Sequence, residues 1–225
     1  MKYIDVVPDF FQKVFEIERK RSKKIIYGLL IFLLLSFFLG IIAGIYVIEY
    51  QPAIASQTIA AFGQQLAPIF NLVLNGQFGM VALLIFLNNF RVALIITLSG
   101  LTIFLLFVAT FYVAGITGFF IGISLTSFSN VNIFNSAGLL LVGGLEFVAI
   151  TLAAIEGFYM GASLFFPQRL YKKIKRKEAF KKALKDAAYI YVLIILILAI
   201  AAVVETSFIF FEVQQISRQL SFFNF

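Results

Sequence analysis

The feature that most constrains this chain is a series of apolar runs that are too long for the core of a small soluble domain. The first, Ile25–Ile48, contains 24 residues without a charge and directly follows a basic cluster. At a rise of 1.5 Å per residue, a helix of this length reaches roughly 36 Å, enough to cross the hydrocarbon core of a bilayer. It is about twice as long as the apolar region of a signal peptide, so we expect a retained anchor.

Four further apolar runs follow. Residues 79–125 have the length of two spanning helices, with Ser99 and Gly100 as the turn signal between them, and Pro167 marks the end of a later helix. Charged residues make up 13% of the chain, about half the share in soluble domains. We therefore predict an all-α, polytopic helical membrane protein of about five transmembrane helices. The predicted spans are residues 25–48, 79–98, 101–125, 138–166 and 187–211.

The distribution of basic residues predicts the topology. Of 18 Lys and Arg, seven lie in residues 1–24 and nine in residues 167–186. Because basic segments stay in the cytoplasm, an even number of crossings must separate the two, and four spans do so. An alternative division breaks the second span at residues 88–91, but it would place nine basic residues outside. We expect a multi-pass protein of the cell (plasma) membrane, with a cytoplasmic N-terminus and an external C-terminus.

The predicted transmembrane bundle covers residues 25–211, and the segments outside its spans also have recognisable patterns. Residues 1–24 alternate apolar and charged side chains, which predicts a basic, amphipathic N-terminal segment on the cytoplasmic surface, near anionic lipid. Residues 49–78 have apolar residues at roughly helical spacing, which predicts an external amphipathic helix; a plain loop is the alternative. Residues 212–225 are predicted to form an external C-terminal tail.

Four charged residues fall inside the predicted spans. A charged side chain that faces lipid at the centre of a helix costs about 2.5–3.5 kcal/mol, so we expect these residues to turn inward and pair. The predicted buried polar cluster consists of Asn88, Asn89, Arg91, Glu146, Glu156 and Glu205, with Glu156 toward the cytoplasm. Its role is either an ion-paired contact that fixes helix register or a protonatable path through the bundle. The sequence leaves open which of the three glutamates pairs with Arg91.

Three glycine pairs at a spacing of four residues predict close helix crossings, because glycine lets helix backbones approach. These are Gly40 and Gly44, Gly118 and Gly122, and Gly157 and Gly161. The crossings can lie within one chain or between two copies, so a homo-oligomer remains an alternative.

The chain contains no histidine and no cysteine, which excludes His-ligated metals, disulfides and thiolate nucleophiles. It also has no nucleotide-binding loop, GxSxG or HExxH motif. We therefore expect no enzymatic activity, cofactor or metal. Because its excess positive charge flanks the predicted spans, we expect the lipid bilayer and other membrane or cell-envelope proteins as partners, and no nucleic acid.

Three segments resemble the stage II sporulation protein M family: residues 85–93 with the Asn pair and Arg91, residues 143–150 with Glu146, and residues 201–205 with Glu205. The resemblance covers about residues 20 to 211. Where many members have His-Gly before the glutamate segment, this chain has Gly143 and Gly144. The resemblance implies an integral membrane scaffold, as in the family's namesake, which localises peptidoglycan-degrading partners during engulfment, or a transport-like activity. It implies no catalytic residue.

Two functions follow from the sequence. The first is a membrane scaffold that binds partners through the external 49–78 segment or the basic loop. The second is a channel or carrier that moves protons, ions or lipid past the Arg/Glu cluster. A polar pathway or a water-filled cavity that reaches the cluster would favour transport, whereas a sealed apolar bundle would favour scaffolding.

Overall fold

The computed structural model describes residues 6–127, 133–171 and 174–222, which are almost wholly helical and contain no strand. The helices are α1 Val6–Arg19, α2 Lys23–Tyr50, α3 Pro52–Leu74, α4 Phe78–Ser99, α5 Ile103–Ser127, α6 Ile133–Phe165, α7 Pro167–Leu170 and α8 Arg176–Phe222. Five of them, α2, α4, α5, α6 and α8, are long and apolar enough to cross a membrane. The predicted fold class and the number of spans are confirmed.

The turn residues act as predicted, but two helices are longer than expected. α4 ends at Ser99, directly before Gly100, and α6 ends at Phe165, two residues before Pro167. α6 begins at Ile133, ahead of the predicted residue 138, and α8 begins at Arg176 instead of residue 187. At 47 residues α8 is roughly 70 Å long and therefore exceeds a bilayer of about 40–45 Å. It includes most of the predicted tail; residues 223–225 lie outside the described residues.

The two basic segments meet at one end of the bundle, which we call the basic end. α1 packs against α8, and one cavity is lined by Lys20 and Arg21 from the first segment and by Tyr171 and Lys182 from the second. This arrangement agrees with four crossings between the segments. α3 joins α2 to α4 at the opposite end.

α1 is amphipathic as predicted, but its apolar face packs on protein. Val14 and Ile17 are buried in the main core, while Phe11 and Phe15 remain exposed. Residues 1–5 of the predicted amphipathic segment lie outside the described residues.

α3 confirms the amphipathic helix predicted within residues 49–78 and excludes the plain loop. Its C-terminal half packs through Val73 against Val81 of α4 and Ala202 of α8, whereas Ile54 and Ile59 in its N-terminal half are exposed. Pro52 lies in the first turn of α3, and Pro68 lies in its interior, yet the helix continues past Pro68. The carbonyl that loses its hydrogen bond there belongs to the exposed Gln64, so solvent can satisfy it.

The glycine pairs lie at close helix crossings. A Cβ on Gly40 or Gly44 of α2 would overlap the backbone of α5, and a Cβ on Gly118 or Gly122 of α5 would overlap the backbone of α2. Gly157 and Gly161 of α6 lie equally close to the end of α4, around Thr97 and Gly100. These contacts lie within one chain, so the six glycines set the distances between its own helices.

Candidate functional site

The polar residues of the bundle form two separate layers instead of the single predicted cluster. The first, the basic-end layer, contains Arg21, Glu156 and Tyr159. The second, the distal layer, contains Asn89, Glu146 and Glu205. Ten residues of α6 separate the two glutamates of that helix, a distance of roughly 15 Å along its axis.

The centre of the basic-end layer is a buried ion pair. The Glu156 side chain is completely buried, and that of Arg21 is only 5% exposed. The guanidinium donates to both carboxylate oxygens: Nη1 bonds Oε1, and Nη2 lies 2.6 Å from Oε2. Nη1 also donates to Glu18, at 2.9 Å from its Oε1. This two-pronged contact neutralises a carboxylate that would otherwise be costly to bury.

Tyr159 joins this pair to the start of the first spanning helix. Its ring centroid lies 4.8 Å from the Arg21 guanidinium carbon, and its hydroxyl accepts a hydrogen bond from the Ser22 backbone N–H at 2.7 Å. Burial acts to lower the pKa of Arg21, but the hydrogen bond and charge of Glu156 outweigh it and raise the pKa above its ordinary value. Arg21 therefore stays cationic, and the α1–α2 junction is held on α6.

The distal layer contains two carboxylates and one amide. Asn89 of α4 donates through Nδ2 to Oε1 of Glu146 on α6. Glu205 of α8 lies close enough to Glu146 for the two side chains to interact electrostatically. Within the described parts of the chain, no Lys or Arg pairs with either carboxylate.

Arg91 does not join either layer, which corrects the prediction that it turns inward to a glutamate. Its side chain is exposed on α4, as is that of Asn88, and no described carboxylate lies within 4 Å of it. The reason is the rotation of the helix: Asn89 faces α6, and Arg91, two residues later, points about 200° away. The sequence argument compared depths along the spans but had no information on which face of α4 meets α6.

A closely packed layer separates the two polar layers. The residues that fill it, fully buried, are Ala93, Ile96, Ala149, Ala153 and Ile194. Its polar groups satisfy one another: the Tyr191 hydroxyl donates to Thr97 Oγ1 at 2.6 Å, and the Thr97 hydroxyl donates to the Ala153 carbonyl at 2.9 Å. In the described part of the bundle, the layer between Glu146 and Glu156 is therefore filled by packed side chains.

Sequence reasoning missed Arg21 and Tyr159. A usable signal for Arg21 was its place two residues before the first spanning helix, close enough to reach a glutamate near the same end. Tyr159 follows Glu156 by three residues on α6 and so lies on the same face of that helix. As for metal binding, the described residues contain no group of three or more acidic side chains that could hold an ion.

Comparison with characterised proteins and with solved structures gives no match. The sequence model for stage II sporulation protein M matches residues 20–208, which include both polar layers and all five spanning helices up to residue 208 of α8. This match covers most of the chain and agrees with the resemblance carried by the Asn89, Glu146 and Glu205 segments. The chain is therefore a membrane protein that belongs to the stage II sporulation protein M family.

Proposed function

We propose that this protein is an integral membrane scaffold that holds other membrane or cell-envelope proteins, with its basic end in the cytoplasm, and that it performs no catalysis. The observation that carries this proposal is the packed layer between the two polar layers. A transported ion would have to cross the fully buried Ala93, Ile96 and Ala153. A bundle closed at this depth suits a protein that positions partners.

The exposed face of α4 is the surface that we assign to a partner helix. Leu84, Leu87, Arg91, Ile95 and Leu98 are all exposed and follow one another at spacings of three or four residues. This is the pattern of a helix seam. An arginine that faces lipid costs about 2.5–3.5 kcal/mol, which a carboxylate on a neighbouring membrane helix would recover. The preferred partner is therefore a spanning helix with Asp or Glu at the depth of Arg91.

Site-specific photo-crosslinking in native membranes tests the scaffold. A photoreactive residue in place of Leu87 should give a defined adduct, and Arg91→Leu in the same chain should abolish it. The matched control is the same residue in place of Leu39, which is exposed on α2, away from this face. Adducts of equal yield at both positions, or adducts that persist without Arg91, would contradict a specific surface on α4.

Transport is the second candidate, and the distal layer is what favours it. Glu146 and Glu205 are two spanning-helix carboxylates without a cationic partner among the described residues, and groups of this kind often carry protons. Liposome flux assays for protons, ions and a fluorescent lipid decide between the two functions. For a scaffold, the parent protein gives no flux above empty liposomes. Flux that Glu146→Gln or Glu205→Gln abolishes would establish a carrier and refute the scaffold.

A further inference from the structure

A cavity of about 230 Å³ opens at the basic end and borders the basic-end layer. Its walls come from α1, from the segment after α6 and from the start of α8. The charged and phenolic groups that line it include Lys13, Lys20, Lys182, Tyr171 and Asp186. Arg21 and Tyr159 also line it, but Arg21 is already bound to Glu156 and Glu18. The three lysines are therefore the cations that a ligand would meet.

Among the described residues, the partners of these lysines are weak ones. Lys13 and Lys20 lie 3.5 and 3.7 Å from one oxygen of Glu16, and their side chains are 46% and 74% exposed. Exposed ion pairs of this kind contribute little, so a ligand can replace them. Lys182 lies 4.9 Å from the centroid of the Tyr171 ring. All three ammonium groups can therefore turn toward an anion in the cavity.

The other groups of the cavity suit the rest of a headgroup. Burial, and then the charge of Asp186, raise the pKa of Tyr171 to about 12, so its hydroxyl stays protonated and available to donate. Asp186 accepts hydrogen bonds but repels anions. A ligand that matches these groups has a phosphate for the lysines and hydroxyl groups for the carboxylate.

The position of the cavity points to a lipid. Lys182 and Asp186 lie in the charged first turns of α8, and Asp186 is the last charged residue before its long apolar stretch; Leu170 and Tyr171 closely follow the end of α6. This is the depth of the headgroups in a bilayer that the five helices cross. Phe11 and Phe15 are exposed on α1, where they are available for apolar contact with the acyl chains of such a lipid.

The charge of the surrounding protein favours an anionic lipid over a neutral one. Residues 1–24 and 167–186 contain sixteen basic side chains against six acidic ones. We propose that this cavity binds the phosphodiester of one anionic phospholipid whose headgroup bears hydroxyl groups, with Lys13, Lys20 and Lys182 on the phosphate and Asp186 on the hydroxyls. The site is separate from the α4 face and does not depend on the proposed scaffold function.

The experiment measures lipid binding to the full-length protein in detergent by native mass spectrometry. The probes are phosphatidylglycerol, phosphatidylcholine, and inorganic phosphate or glycerol 3-phosphate as soluble sources of the same group. The test variant is Lys20→Gln with Lys182→Gln. The matched control is Lys24→Gln with Lys181→Gln, which removes the same charge from exposed positions outside the cavity.

We expect the parent to bind one phosphatidylglycerol in preference to phosphatidylcholine. At about 1 kcal/mol for each lysine, the test variant should bind it roughly 30-fold more weakly, and the control should stay within about 3-fold of the parent. Equal losses in test and control variants would overturn the proposal, because the attraction would then be diffuse. Binding of soluble phosphate without a preference for phosphatidylglycerol would overturn the assignment to a lipid. Circular dichroism spectra of both variants are compared with that of the parent to check that they are folded.

Discussion

The buried ion pair of Arg21 and Glu156 gives the sharpest stability prediction. Replacing Arg21 with Met removes the cation but leaves a carboxylate that is completely enclosed by protein. Removing one partner of such a pair costs about 3–5 kcal/mol, because the remaining charge has no compensation. Arg91→Leu is the matched control: this arginine is exposed and pairs with no described carboxylate, so we expect a change within about 0.5 kcal/mol.

The double variant Arg21→Met with Glu156→Leu tests the cause. It removes both charges and fills the site with apolar side chains of similar size, so stability should return to within about 1 kcal/mol of the parent. The assay is chemical unfolding in detergent micelles followed by circular dichroism, since the chain has no tryptophan. A double variant whose loss equals the sum of the two single losses would refute the ion pair as the source. So would a loss at Arg21 no larger than that at Arg91.

Three further predictions address helix packing, the docking of α1 and sidedness. Gly118→Ala would place a Cβ on the Phe37 carbonyl and should lower the free energy of unfolding by about 1–3 kcal/mol. The control Gly28→Ala, whose Cβ would have nothing within 4 Å, should leave the free energy of unfolding unchanged or raise it by up to about 1 kcal/mol. Equal effects of the two substitutions would mean that α2 and α5 do not cross this closely. Ile17→Ala shortens a side chain that is only 6% exposed and should weaken the docking of α1 on the bundle by about 2 kcal/mol. Trypsin should therefore cut near Arg19 roughly 30-fold faster. The control Phe15→Ala changes a side chain that is 71% exposed and should leave the cleavage rate unchanged. Single cysteines at positions 20 and 177 should react with an impermeant reagent from one side of the membrane, and a cysteine at position 63 should react from the other side. Labelling of positions 20 and 177 from opposite sides would contradict four crossings between them.

The spanning helices could be predicted well because each is determined by its own local sequence. An apolar run with a turn signal such as Gly100 or Pro167 specifies a helix and its end without knowledge of any neighbour. The errors in the fold lie at polar edges. α8 begins at Arg176 because the charged segment before residue 187 consists largely of good helix formers. Composition alone does not distinguish a charged helical segment outside the membrane from a loop.

The candidate site was less predictable, because it depends on rotation and on contacts between distant segments. Depth along the helix correctly assigned Glu146 and Glu156 to different levels, but the Asn89 contact that fixes the rotation of α4 could not be read from the sequence. The pairing of Glu156 depends on a turn outside the spans, at Ser22, which brings Arg21 back against α6. The search for a partner among intramembrane residues therefore selected the wrong arginine.

The two arginines have opposite consequences for the molecule. Arg21 is enclosed and neutralised by its own chain, so it holds α1, α2 and α6 together and has little left to offer a partner. Arg91 contributes nothing to the described bundle and adds a cost to every lipid-exposed copy of the chain. Because no described carboxylate lies within 4 Å of Arg91, the described bundle does not relieve this cost, and in the proposed scaffold a carboxylate of the partner helix does so. We expect an intramembrane charge of this kind to distinguish a surface for association from a lipid-facing surface, which makes Arg91 the residue on which the proposed partner surface of α4 depends.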